Sequence, residues 1–108
     1  MSEEPLNQLA EEAIEIKKNH GFPIVNDFKS EEQKFLIGTK LAGIHAEVSE
    51  MYEAHRVADF ENFIEEGIDV LIQTLELLRG LGANIDIELR KKMEYNLNRP
   101  PRHGGKRI

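Results

Sequence analysis

The sequence predicts an all-α protein, and three observations support this fold class. Helix-forming residues dominate, whereas aromatic residues make up only 6% of the chain. The β-branched residues do not follow the alternating pattern that is typical of strands. A chain of 108 residues has the length of one domain. We therefore expect a four-helix bundle subunit over residues 1–98, followed by a basic tail over residues 99–108.

The first helix is predicted from about Leu6 to His20, where apolar residues recur near the 3.6-residue period. Gly21 follows it and suits the position just after a helix C-terminus. Pro23 then indicates a connection rather than a continued helix.

The second helix is predicted to begin after Ser30, the expected N-cap residue, with Gln33 completing a capping box. It runs to about Arg56. Its predicted apolar stripe consists of Ile37, Leu41, Ile44, Val48 and Met51.

The third helix is expected to start near Asp59 and to end near Gly80 or Gly82. The fourth starts near Asp86 and stops before Pro100. Apolar residues between positions 67 and 78 cover nearly the whole circumference of the third helix, which is typical of a buried helix. The remaining helices of one small subunit can hardly cover it, so we expect a homodimer or homotetramer.

Charge and composition exclude several classes of protein. The net charge of −6 disfavours general nucleic-acid binding, and without cysteine there is no disulfide framework or thiol nucleophile. No apolar stretch approaches the roughly 18 residues that a membrane span needs, so we expect no membrane association. The acidic, polar N-terminus does not resemble a signal peptide, and the expected location is the cytoplasm.

Four carboxylates do not fit the pattern of solvated helix charge. Asp69 lies between Ile68 and Val70 in the most apolar helix, where a lone charge costs several kcal/mol unless it is paired or bound to a metal. Glu66 lies one turn earlier on the same face. Glu47 and Glu50 form a second pair with the same spacing. A short link makes the two helices antiparallel neighbours, so all four carboxylates should converge in a partly buried groove.

Hard divalent cations such as Mg²⁺ or Mn²⁺ neutralise such a cluster, because they prefer oxygen ligands. The alternative is that the acids pair with lysines such as Lys40 or Lys92. A di-iron carboxylate site is disfavoured, because no histidine follows a glutamate by three residues.

The two pairs, Glu47-x-x-Glu50 and Glu66-x-x-Asp69, resemble the metal-binding motif of the MazG-type nucleoside triphosphate pyrophosphohydrolases. This all-α superfamily also holds dimeric dUTPases and phosphoribosyl-ATP pyrophosphatases. Its members often have a doubled acid at the first motif, where this chain has Ala46. The segment from Lys92 through Asn96 to Arg99, and the tail that contains Arg102, resemble the family's downstream motif and ending, so the resemblance covers roughly residues 35–108.

The resemblance implies Mg²⁺-dependent hydrolysis of a nucleoside triphosphate, standard or not, to the monophosphate and pyrophosphate, a reaction that cleans the nucleotide pool. It implies that the four carboxylates are catalytic and hold the metal, with Mn²⁺ as a substitute. It further implies a substrate-binding role for Lys92, Asn96, Arg99 and Arg102.

Two questions stay open at this point. Five aromatic residues can stack on a base or belong to the core, and the core is favoured for most of Phe28, Phe35, Tyr52, Phe60 and Phe63. The alternative function is a non-enzymatic helical interaction or regulatory module, which the apolar third helix and the basic tail favour.

Overall fold

The computed structural model describes residues 3–100 and confirms the all-α fold class. Helices account for 78% of the chain's described part, which contains no strand. The four helices are α1 (Pro5–Asn19), α2 (Glu31–Arg56), α3 (Phe60–Gly80) and α4 (Ile85–Asn98), close to the predicted bounds. None of these four is long and apolar enough to span a bilayer. Arg102 and the rest of the tail after residue 100 lie outside the described residues.

The first helix and its following turn form as the sequence predicts. Ala10 lies on the inner face and is fully buried, and Gly21 takes a left-handed conformation with φ 81° just after the helix. Glycine adopts this conformation without the Cβ clash that other residues meet, which explains why the helix ends there. Lys17 and Lys18 occupy the last turn, where the helix dipole favours positive charge.

The connection between α1 and α2 is an ordered part of the subunit. Val25 is 1% exposed, and its carbonyl oxygen lies so close to Gly80 that a Cβ there would be 2.6 Å away. Ser30 caps α2 as predicted, accepting a hydrogen bond from the N–H of Gln33 at 3.2 Å. The predicted capping box is wrong, because the side-chain oxygen of Gln33 accepts hydrogen bonds from the backbone N–H groups of Asn26 and Asp27 instead.

The most extensive helix–helix packing is between α2 and α3, which form an antiparallel hairpin. This confirms the prediction that these helices are neighbours. The turn is short: Ala58 takes a left-handed conformation with φ 59°, and Asp59 caps α3 by accepting from the N–H of Asn62. Farther along the hairpin, Gly67 allows close packing, because a Cβ there would lie 3.3 Å from the Met51 methyl carbon.

The predicted apolar stripe of α2 divides between two faces. Ile37, Ile44 and Met51 are half-buried, whereas Leu41 and Val48 are more exposed. The half-buried positions follow a spacing of seven residues, which places them on one side of the helix. Leu41 and Val48 fall outside that face and remain accessible in the single subunit.

The core lies between α1, α3 and the start of α4, where Ala10, Leu75 and Ile85 meet. The N-termini of α1 and α4 cap each other there. The carboxylate of Asp86 accepts hydrogen bonds from the backbone N–H groups of Leu6 and Asn7, at 3.1 and 2.8 Å. In return, the side chain of Asn7 accepts from the N–H of Ile85 at 2.7 Å and donates to Asn84. This exchange replaces the side-chain cap that α1 lacks at Glu4.

Candidate metal centre

The α2–α3 hairpin brings the predicted carboxylates together. Carboxylate oxygens of Glu47, Glu66 and Asp69 all lie within 4.8 Å of one another. Glu50 also reaches Glu66, and the two side chains are within hydrogen-bonding range. Each pair is spaced by three residues and therefore shares a face of its helix, and the hairpin places these two faces against each other.

The burial of the cluster differs from the prediction. Glu47 and Glu66 are half-buried, but Glu50 and Asp69 are exposed. The expectation that Asp69 is enclosed by apolar neighbours is wrong for the single subunit, since Ile68 beside it is 48% exposed. Asp69 lies at the edge of the α3 face that packs on α2. Its convergence with the other acids thus follows from helix geometry rather than from burial.

The proximity of the carboxylates raises the pKa of Glu66 to about 7. The largest cause is the side-chain hydrogen bond with Glu47, followed by burial and by the hydrogen bond with Glu50. A protonated Glu66 donates its O–H to a neighbouring carboxylate, and this bond is lost when Glu66 ionises. The negative charges of Glu50 and Glu47 also raise the pKa of Glu66. The metal-free cluster therefore retains a proton that an isolated glutamate would release.

One oxygen of the cluster lacks a partner. Glu47 Oε2 is buried and has no hydrogen-bond partner among the described residues. Buried carboxylate oxygens are nearly always satisfied, so in the ionised cluster this oxygen needs a water molecule or a cation, whereas at lower pH the proton of Glu66 can meet the same carboxylate. Its two nearest carboxylate neighbours, Glu66 and Asp69, supply further oxygen atoms of the kind that Mg²⁺ and Mn²⁺ prefer. The residues present thus fit a divalent cation.

The alternative of lysine pairing does not hold within residues 3–100. The ion pairs found there join none of the four carboxylates to a lysine or arginine. Lys40 lies instead in a separate polar cluster with Lys17 and Glu76, around a cavity of about 30 Å³. Burial, with the nearby charge of Lys17, lowers the pKa of Lys40, although the attraction of Glu76 opposes this.

This second cluster was not predicted, although the sequence contains a signal for it. Lys40 and Glu76 lie seven residues from Glu47 and Asp69, and two helical turns bring a residue back to the same face. Glu76 and Lys17 form an ion pair at 3.9 Å that joins α3 to α1. The cluster therefore contributes to holding α1 on the hairpin that carries the acids.

The residues predicted to bind phosphate lie on another part of the subunit. Lys92, Asn96 and Arg99 are exposed at the C-terminal half of α4 and its end. The Lys92 Nζ atom lies 4.9 Å, and the Arg99 Cζ atom 5.9 Å, from the centre of the Tyr95 ring. In the part of the chain that the structure describes, α4 packs on α1 and α3 but not on α2. No ion pair there joins these residues to the carboxylates, so their role in binding stays a prediction.

The aromatic residues are less buried than expected. Four of the five that were considered are at least 65% exposed, namely Phe28, Phe35, Tyr52 and Phe60. The expectation that most of them belong to the core is wrong for the subunit. Phe63, on the inner side of α3, is half-buried.

Comparison of the chain with protein-family models, with curated proteins and with solved structures yields no match. The resemblance to the MazG-type enzymes therefore depends on the motif residues alone.

Proposed function

We propose that this chain is a divalent-metal-dependent nucleoside triphosphate pyrophosphohydrolase. The observation that carries the proposal is the cluster of Glu47, Glu66 and Asp69, whose carboxylate oxygens lie within 4.8 Å of one another and include the orphaned Oε2 of Glu47. The motif resemblance adds the substrate class. The expected products are a nucleoside monophosphate and pyrophosphate, and water supplies the oxygen that replaces the broken P–O–P bond.

The charge of the site explains why a metal is needed. A nucleoside triphosphate carries about four negative charges, and an uncompensated acidic cluster repels it. When bound, Mg²⁺ or Mn²⁺ contributes positive charge for phosphate oxygens and lowers the pKa of a water molecule. Glu47, Glu66 and Asp69 would hold the cation.

Glu50 has a different position from these three residues. It is exposed and lies outside the closest group, yet it contacts Glu66. A carboxylate beside a metal centre, with room for water around it, is suited to orient the attacking water and to accept its proton. We therefore assign this part to Glu50, in addition to its predicted contribution to metal binding.

The proposal includes a second copy of the chain. Five large apolar side chains of α3 are 37–52% exposed: Ile64, Ile68, Leu71, Ile72 and Leu78. Their spacing of three, four and seven residues is typical of a helix face that packs on another helix. Two-fold homo-oligomers are the commonest way to cover such a face. The Leu71→Asp variant should shift the molar mass measured by light scattering towards the monomer, and an unchanged mass would contradict this interface.

The activity is tested by measuring pyrophosphate release from a panel of standard and modified nucleotides with Mg²⁺ or Mn²⁺. The Glu47→Gln variant should lose at least about 100-fold in kcat, because one oxygen ligand becomes an amide. The matched control is Glu65→Gln, since Glu65 is exposed and adjacent to Glu66 in the sequence. Equal losses in both variants, or no pyrophosphate from any nucleotide with the wild-type protein, would refute the proposal.

The exposed apolar faces of α2 and α3 also favour the second candidate, a non-enzymatic helical interaction module. The two functions differ in their response to metal. A ligand that binds only the native state raises the unfolding midpoint, so the enzyme should melt at a higher temperature with millimolar Mg²⁺ and nucleotide. An unchanged midpoint would favour the module.

A further inference from the structure

An apolar pocket lies next to the acid cluster, at the turn of the α2–α3 hairpin. We call it the hairpin pocket, and it is lined by Ala54, His55, Ala58, Asp59, Phe60 and Phe63. Ala54 follows Glu50 by four residues, and Phe63 precedes Glu66 by three. Residues with these spacings are neighbours on one helix face. The pocket therefore lies one helical turn from the carboxylates on both helices.

The size and lining of the hairpin pocket suit a flat aromatic group. Its volume is about 290 Å³, near the lower end of the range for small-molecule sites, which is roughly 300–1,000 Å³. Two phenylalanine rings provide surfaces for stacking, and His55 and Asp59 supply the polar groups of the lining. Mostly apolar walls with a few polar groups are typical of ligand sites.

The backbone at this turn fixes the position of the pocket lining. Ala58 has φ 59°, and the N–H groups of Ala58 and Asp59 donate to the carbonyls of His55 and Ala54 at 3.1 and 2.8 Å, which is a common way for a helix to end. The Asp59 side chain caps α3 directly afterwards. The residues that line the pocket at the turn are therefore held by hydrogen bonds of both helices.

We infer that the hairpin pocket binds the base of the nucleoside triphosphate by stacking it on Phe60, while the acid cluster binds the phosphates through the metal. This inference rests on the proposed function. The base is the expected occupant because the pocket and the acid cluster adjoin on one hairpin. A nucleoside triphosphate with its phosphates at the cluster extends to the pocket with its base. Phe60 is 72% exposed, so its ring is accessible to a base.

The test compares Phe60→Ala with Phe28→Ala, a matched control because Phe28 is also 72% exposed but lies in the α1–α2 connection. The first measurement is KM and kcat for the best nucleotide of the panel. The second is the inhibition constant of inorganic tripolyphosphate, which has phosphates but no base. Base stacking on an aromatic side chain is worth about 1–3 kcal/mol, so Phe60→Ala should raise KM by about fivefold or more. It should leave kcat and the tripolyphosphate constant within about twofold, and Phe28→Ala should change none of these values.

Other outcomes would overturn the inference. An unchanged KM in Phe60→Ala places the base elsewhere, while the wild-type activity still supports the proposed function. Equal weakening of nucleotide and tripolyphosphate indicates general damage to the site. If Phe60→Ala changes the molar mass of the protein as well as raising KM, a second copy of the chain occupies the pocket. If the wild-type protein neither hydrolyses nor binds any nucleotide in equilibrium dialysis with Mg²⁺, the proposed function fails as well.

Discussion

Replacing Asn7 with alanine should destabilise the subunit far more than a surface substitution does. Asn7 is 2% exposed, and its side chain connects α1 to the start of α4. The substitution removes two hydrogen bonds and leaves the N–H of Ile85, a residue 6% exposed, without its acceptor. A lost hydrogen bond costs about 1 kcal/mol and an unsatisfied buried donor about 1–3 kcal/mol. The better helix propensity of alanine offsets about 0.5 kcal/mol of this, so the expected loss is about 1.5–3.5 kcal/mol.

The measurement is urea unfolding at a fixed protein concentration, followed by circular dichroism. The loss is a large fraction of the roughly 5–15 kcal/mol by which a domain is stable, so the midpoint should move well outside experimental error. Asn98→Ala is the control, because Asn98 is exposed and, within residues 3–100, its side chain bonds to Glu94 of its own helix, so the substitution should change stability by less than about 0.5 kcal/mol. A loss below about 1 kcal/mol in Asn7→Ala would refute the idea that α1 and α4 depend on mutual capping.

Two further predictions concern the hairpin. In metal-free protein with EDTA, the stabilising contribution of protonated Glu66 is fully present below its usual pKa of 4.5 and is lost as the pH rises through about 7. Glu66→Gln should flatten this part of the pH–stability curve, and an unchanged slope would contradict the raised pKa. Gly80→Ala should cost about 1–3 kcal/mol in urea unfolding, because a Cβ there would lie 2.6 Å from the Val25 carbonyl oxygen. Gly38→Ala, with open space around it, should instead stabilise α2 by about 0.5–1 kcal/mol, and equal effects would be evidence against the close contact.

Local sequence signals predicted the helices and the convergence of the acids. Ser30 caps the helix that follows it, and Gly21 ends the helix before it, so neighbouring residues are enough to predict both roles. The approach of Glu47 to Glu66 required only two helical faces and a short turn. Each of these inferences depends on spacing, which the sequence states directly.

Contacts between distant residues could not be predicted in the same way. Asp86 caps α1 across a separation of 80 residues from Leu6, and no local pattern indicates that partner. Gln33 had a plausible local partner in Ser30 but bonds to Asn26 and Asp27, because the α1–α2 connection folds back over the start of α2. The exposure of Asp69 was also missed, since an apolar sequence neighbourhood does not reveal which face of a helix meets solvent.

The acid cluster needs positive charge, and the nearby basic side chains do not supply it. Within the described residues, Arg56 is paired with Glu53, and Arg79 is paired with Glu11. Lys40 faces the cavity that it shares with Glu76, two turns from Glu47. The hairpin thus holds three carboxylates within 4.8 Å of one another, and no ion pair within residues 3–100 joins them to a basic side chain. A chain that needed these acids only for solubility would gain nothing by converging them, because like charges at this distance repel one another. Cation binding gives the convergence a physical reason, and it is the property from which the proposed reaction with a triphosphate follows.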